Sequence, residues 1–79
     1  MKFENKVVVV TGGGSGIGRE VVLQLVRRGG RVAAVDLRQE GLDETARRAA
    51  AGDSLATFVV DVADREATAA LPEKVVGRF

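Results

Sequence analysis

The residues best suited to chemistry lie in one short stretch. Thr11 to Gly18 reads TGGGSGIG, with four glycines among its first six residues. Without Cβ atoms, a turn of this kind can bring backbone N–H groups close to a bound anion, and a phosphate is the natural guest. Ser15 adds a hydroxyl that can donate to a phosphate oxygen. Other glycine-loop chemistries can be tested letter by letter. A Walker loop needs G-x-x-x-x-G-K-[ST]. Gly13 and Gly18 have that spacing, but Arg19 and Glu20 follow, so the lysine and the magnesium-binding hydroxyl are both missing. A nucleophile elbow needs G-x-S-x-G. Gly13 and Ser15 begin one, but Ile17 takes the last glycine's place, and the chain has no histidine to act as base. G-x-G-x-x-G read from Gly12 also fails at Ile17. The spacing that fits is T-G-x-x-x-G-x-G.

Positioning such a loop requires a strand before it and a helix after it. Lys6–Thr11, KVVVVT, is a continuous β-branched run, which predicts a strand buried on both faces. From Ile17 to Arg28 the period changes. Ile17, Val21, Val22, Leu25 and Val26 share one helical face, and Glu20, Gln24, Arg27 and Arg28 take the other. Gly29 and Gly30 are expected to stop that helix. Arg31–Asp36, RVAAVD, predicts a second strand. Leu42, Ala46, Ala49 and Ala50 predict a second helical face ended by Gly52, with i,i+4 pairs Asp43–Arg47 and Glu44–Arg48 outside. Ala56–Asp61 predicts the third strand, and Asp64 the N-cap of a third helix. Pro72 predicts a kink or restart near Leu71. Alternating strands and helices at this spacing imply parallel pairing with right-handed crossovers. The fold class is α/β, Rossmann-type and three-layered: the N-terminal βαβαβα half of a doubly wound parallel sheet, in order 3-2-1.

Composition narrows the function classes. The 79 residues allow one small domain, with a marginal core. Without cysteine or histidine, and with no carboxylates at ligand spacing, no metal site is expected. The lack of cysteine fits a cytoplasmic location. Twelve basic against eleven acidic residues give a net charge of +1, which is no footprint for nucleic acid. Arg27, Arg28 and Arg31 cluster, but the first two suit a helix's last turn. No run approaches the ~20 apolar residues of a membrane span. MKFENK lacks the pattern of a signal peptide.

NKVVVVTGGGSGIG, an acid ending the second strand (Asp36) and the pair Asp61–Val62 after the third stand in one order over essentially the whole chain. In that order the sequence resembles the N-terminal part of a classical short-chain dehydrogenase/reductase. In this setting Gly12 permits the tight turn, and Gly14 and Gly16 let backbone approach a pyrophosphate. Gly18 lets the helix approach the sheet, and Ile17 lies in the same set. Asp36, 18 residues after Gly18, would accept hydrogen bonds from both hydroxyls of an adenosine ribose and repel a 2′-phosphate, favouring NAD over NADP. Leu37 and Arg38 complete that side of the site, and Arg38 could instead receive such a phosphate. The resemblance implies that Asp61 meets the adenine amine and Val62 packs on the ring.

The same resemblance marks what is missing. The family's Tyr-x-x-x-Lys pair cannot be here, because the chain has no tyrosine, and the Asn-Ala-Gly segment is absent. Residues 1–79 are therefore expected to be the N-terminal part of one NAD(P)-binding domain, with no catalytic residue of their own and no activity alone. The missing C-terminal part would be their partner. The complete enzyme would interconvert an alcohol and a carbonyl, as a homo-oligomer. A non-catalytic module that binds a nucleotide or docks on a partner remains the alternative. A methyltransferase also places an acid after strand two, but the T-G-x-x-x-G-I-G spacing argues against it.

Overall fold

A computed structural model describes residues 6–79; residues 1–5, most of the MKFENK segment read for a signal peptide, lie outside the described residues. β-Branched runs form the strands β1 (Val7–Thr11) and β2 (Arg31–Asp36), and β3 follows at Leu55–Val59. The helices are α1 (Gly16–Arg27), α2 (Gln39–Ala49) and α3 (Arg65–Arg78), with a short 3₁₀ turn at Gly52–Ser54. All pairing is parallel, in the order β1-β2-β3, with Val10 opposite Ala34 and Val35 opposite Phe58. This is the expected βαβαβα arrangement.

The two faces of β2 seed two cores. Val32 and Ala34 meet Val22 and Leu25 of α1, Leu42 of α2 and Leu55. Ala33 and Val35 meet Val60 with Leu71 and Val75 of α3. α1 and α2 therefore lie on one face of the sheet and α3 on the other. β2, central and covered twice, is buried from Val32 to Val35.

β1 departs from the expectation of burial on both faces. Val8 and Val10 pack towards α1, but Val7 and Val9 are 44% and 46% exposed on the α3 side. β1 is an edge strand, and α3 covers β2 rather than β1. An apolar groove remains there, between Val7 and Val9 on the strand and Leu71, Pro72, Val75 and Val76 on the helix.

Several local expectations are corrected. Ile17 and Val21 do not join the buried stripe of α1; Ile17 is 85% exposed, because the first turn projects past the end of the sheet. α2 ends at Ala49, and Ala50 forms its C-cap in the left-handed conformation (φ 46°), exposed and not part of the buried face. Gly52 lies beyond, in the 3₁₀ turn. β3 begins one residue earlier than predicted and ends at Val59, two residues short of Asp61. Glu44 pairs with both Arg47 and Arg48, while Asp43 accepts from the Gln39 side chain instead of Arg47. α3 does not restart at Pro72; it runs unbroken from Arg65 to Arg78. Proline in a helix interior costs about 3 kcal/mol. Here Leu71 and Val75, on either side of it, are both anchored in the core. The predicted stop of α1 does occur: Arg28 is its C-cap and Gly29 follows at φ 85°. Asp64 caps α3 as expected, its carboxylate accepting from the Ala67 N–H at 3.1 Å.

Candidate functional site

Parallel strands deliver all their following loops to one end of the sheet. The ladders continue slightly past the strands there. Gly13 N–H donates to the Val35 carbonyl and Val60 N–H to the Asp36 carbonyl, each at 3.0 Å. The three predicted segments are thus tied side by side: the glycine loop after β1, Asp36 to Arg38 after β2, and Asp61–Val62 after β3.

Gly12 turns the chain with φ +72°, a conformation that disfavours side chains. Gly18 is required by contact. A Cβ on it would stand 2.0 Å from the Gly12 carbonyl oxygen. Its absence thus seats the helix on the loop's own backbone, where the sheet had been expected. Ser15 is the N-cap of α1 in an extended conformation, and its hydroxyl makes no capping bond. Gly16, Ile17 and Gly18 open the helix, and first-turn N–H groups have no intrahelical acceptor. With no acidic residue in that turn, the positive end of the helix dipole is uncompensated. This is a donor set fitted to an anion.

Gly14 has a further role beside the one expected. Its N–H donates to Asp36 Oδ2 at 3.0 Å. A Cβ at Gly14 would lie 2.8 Å from that same oxygen and 3.1 Å from the Gly41 backbone. Asp36 also accepts from Leu37 N–H at 2.7 Å and Arg38 N–H at 3.4 Å, both on Oδ1. Burial pushes its pKa up, but the N–H groups of Gly14, Leu37 and Arg38 and the Arg38 charge outweigh that, holding the carboxyl below its usual range. Asp36 is thus a fixed anion joining the glycine loop to the end of β2.

Asp36 stands between two clefts. One, of about 320 Å³, is lined by Thr11, Gly12, Val35, Leu37, Val60 and Asp61–Val62 as well as Asp36. Leu37 and Val62 are 63% and 60% exposed beside it, an uncovered apolar surface. Asp61 Oδ1 accepts from Ala63 N–H at 2.9 Å, which fixes the turn after β3. The other cleft, about 490 Å³, runs past Gly14, Ser15, Arg19, Arg38 and Gly41. Arg38 is therefore brought to the second cleft and not the first.

Four residues that shape the loop are absent from the sequence-based set: Gly13, Arg19, Gly41 and Thr45. Gly13 is buried against β2, where a Cβ would lie 2.9 Å from Ala34 Cβ. Thr45 is fully buried, and its hydroxyl lies 2.7 Å from the Gly13 carbonyl oxygen. The available signal was periodicity: Thr45 falls three residues after Leu42, on the apolar face of α2, and a polar residue there needs a partner. Arg19 had been weighed only as a missing Walker lysine.

The comparisons agree with this geometry. Residues 6–79 match the short chain dehydrogenase family, and the chain belongs to it. It is 44% identical over 78 residues to SadH of Mycobacterium tuberculosis, covering 98% of this chain and 28% of that protein. It is 40% identical over 77 residues to the 2,5-dichloro-2,5-cyclohexadiene-1,4-diol dehydrogenase of Sphingobium indicum, covering 98% of this chain and 30% of the relative. Among solved structures it resembles the 3-ketoacyl-(acyl-carrier-protein) reductase of Brucella melitensis complexed with NADH. That match has TM-score 0.87 and 28% identity, and covers 96% of this chain and 31% of the other. The chain thus spans under a third of the length of these relatives. Among the described residues, no helix is long and apolar enough to cross a membrane.

Proposed function

We propose that residues 1–79 are the N-terminal part of the dinucleotide-binding domain of an NAD-dependent oxidoreductase that interconverts an alcohol and a carbonyl. The observation that carries this reading is the meeting of the glycine loop, the anchored Asp36 and Asp61–Val62 around one cleft at the carboxyl ends of the strands. Membership of the short chain dehydrogenase family supports it.

The residues present fit a nicotinamide dinucleotide. Cβ positions at Gly12 and Gly16 face open space, leaving the cradle clear. First-turn N–H groups of α1 and the Ser15 hydroxyl would hold the pyrophosphate. Leu37 and Val62 would flank the adenine, with Asp61 beside its amine. Asp36 would accept from a ribose hydroxyl on Oδ2, and its charge would exclude a 2′-phosphate, which favours NAD. The bound cofactor supplies the hydride chemistry. This chain's part is to bind and orient its adenosine half. The Tyr-x-x-x-Lys pair that the family resemblance implies for proton transfer to the substrate oxygen needs a tyrosine, which this segment lacks, so we assign that step to the remainder of the enzyme, with the substrate pocket.

The test is to supply the full-length protein with NAD or NADP and a panel of secondary alcohols, following reduced nicotinamide. NAD-dependent turnover is expected. Dinucleotide binding without turnover of any alcohol or carbonyl would indicate a non-catalytic binding module instead.

A further inference from the structure

Arg19 is an unusual cation. It lies one turn into α1, where the helix dipole disfavours positive charge. Among the described residues the only ion pairs are those of Glu44 with Arg47 and Arg48, so Arg19 has no carboxylate partner. Its guanidinium is committed to neutral acceptors. Nε donates to Thr45 Oγ1 at 2.9 Å, and Nη2 to the carbonyls of Gly14 at 2.6 Å and Gly41 at 3.2 Å. Thr45 accepts that bond while its own hydrogen is directed at the Gly13 carbonyl, 2.7 Å away, with the Gly41 carbonyl at 3.1 Å. Two consecutive carbonyls of the glycine loop are therefore held, that of Gly13 by the Thr45 hydroxyl of α2 and that of Gly14 by the planar fork of Arg19 on α1. Holding the Gly13 carbonyl sets the plane of the peptide between Gly13 and Gly14, and with it the direction of the Gly14 N–H, which points at Asp36; holding the Gly14 carbonyl sets the next peptide, between Gly14 and Ser15.

The geometry assigns Arg19 and Thr45 as positioning residues: Thr45, held by Arg19, orients the Gly13–Gly14 peptide and Arg19 the Gly14–Ser15 peptide, so that the loop is preset for a dinucleotide, with the loop and Asp36 held as one unit. This rests on the reading of the loop as a dinucleotide site. The fork matters as much as the charge. A lysine ammonium is a point donor and cannot span Thr45 and the Gly14 carbonyl with the same fixed geometry. On α2 the requirement is for a hydroxyl that both accepts and donates, which serine meets and the near-isosteric valine does not. Gly41 is tied in by contact, since a Cβ there would lie 2.5 Å from the Gly14 carbonyl oxygen.

The test compares Thr45→Val, Thr45→Ser and Arg19→Met in the full-length protein. Amide exchange at Gly14 is read without ligand, with the Val32 to Val35 amides of β2 as the control for global opening, and NAD affinity is read by calorimetry. In Thr45→Val and Arg19→Met, Gly14 is expected to exchange about tenfold faster relative to β2, and NAD to bind about tenfold more weakly. Thr45→Ser should restore both. If Thr45→Val does not fold, Arg19→Met decides, because Arg19 is only half-buried. Unchanged Gly14 protection overturns the proposal. Faster exchange with undiminished NAD affinity overturns it too, because the clamp would then hold the loop without positioning the cofactor. Failure of the wild-type protein to bind NAD would instead sink the functional reading, and Gly14 exchange alone would then decide the clamp.

Discussion

Replacing Asp36 with alanine separates cofactor choice from folding. The carboxylate offers about four lone-pair positions, and the N–H groups of Gly14, Leu37 and Arg38 take three of them. Both positions on Oδ1 are used, which leaves room on Oδ2 for one short bond from a ribose hydroxyl, fewer than the two that the sequence suggests. A hydrogen bond to a charged group is worth about 1.5–3 kcal/mol, so its loss alone weakens NAD binding about ten- to a hundredfold. The freed Gly14 N–H loosens the loop and adds to that. A 2′-phosphate about 4 Å from the carboxylate is repelled by up to about 4 kcal/mol per charge near a surface, and the substitution removes this. The ratio of NADP to NAD affinity should therefore rise about a hundredfold, by titration calorimetry of the full-length protein with each cofactor. A ratio that moves by less than about threefold (under 1 kcal/mol) would refute the assignment. A wild-type preference for NADP would refute it as well, and would turn attention to Arg38.

Further outcomes follow from the same coordinates. Gly18→Ala drives a Cβ into the Gly12 carbonyl, so it should cost more than about tenfold in NAD affinity with helical circular dichroism retained. Asp36 has a lowered folded-state pKa, so its contribution to stability is complete above the ordinary carboxylate range and is lost as pH falls through the folded value. Denaturant titrations carried from neutral pH to below the ordinary carboxylate range should show that loss in wild type and not in Asp36→Ala. Leu42→Ala, at a fully buried position shared by α2 and β2, should cost about 2–5 kcal/mol, read as a fall in the urea midpoint. Residues 1–79 expressed alone should be catalytically inactive and should self-associate in sedimentation, because β1 presents an apolar edge with Val7 and Val9 exposed; a well-protected monomer would contradict this.

The alternation of elements was legible because each type leaves a strong local signature. A valine run marks β1 and a short apolar run β2, and the period of Val22, Leu25 and Leu42 marks the helices. The three site segments were legible because a parallel sheet must deliver them to one end. Boundaries were less so. Val60 continues the apolar pattern of β3, yet the ladder ends at Val59, since only pairing with β2 decides where a strand stops. Ile17 and Val7 looked like core by pattern alone. Their exposure depends on what lies beside them in space, which periodicity does not carry. The clamp of Arg19 and Thr45 was hidden for the same reason: it joins residues 26 apart in the chain, and although a cation near a helix start and a polar residue on an apolar face each call for a partner, neither signal names the other. The further role of Gly14 likewise needed the position of Asp36, 22 residues on.

The central claim is that a dinucleotide lies along the loop with its adenosine between Asp36 and Val62. Titrating isotope-labelled full-length protein with NAD, and following backbone amide shifts, tests this most directly. The account predicts saturable shifts at Gly12 to Gly18, Asp36 to Arg38 and Asp61–Val62, with the exposed outer face of α2 around Arg47 and Arg48 unmoved. Saturable shifts confined to other surfaces, or none at these three segments at millimolar NAD, a concentration that detects even ~4 kcal/mol of binding, would contradict it.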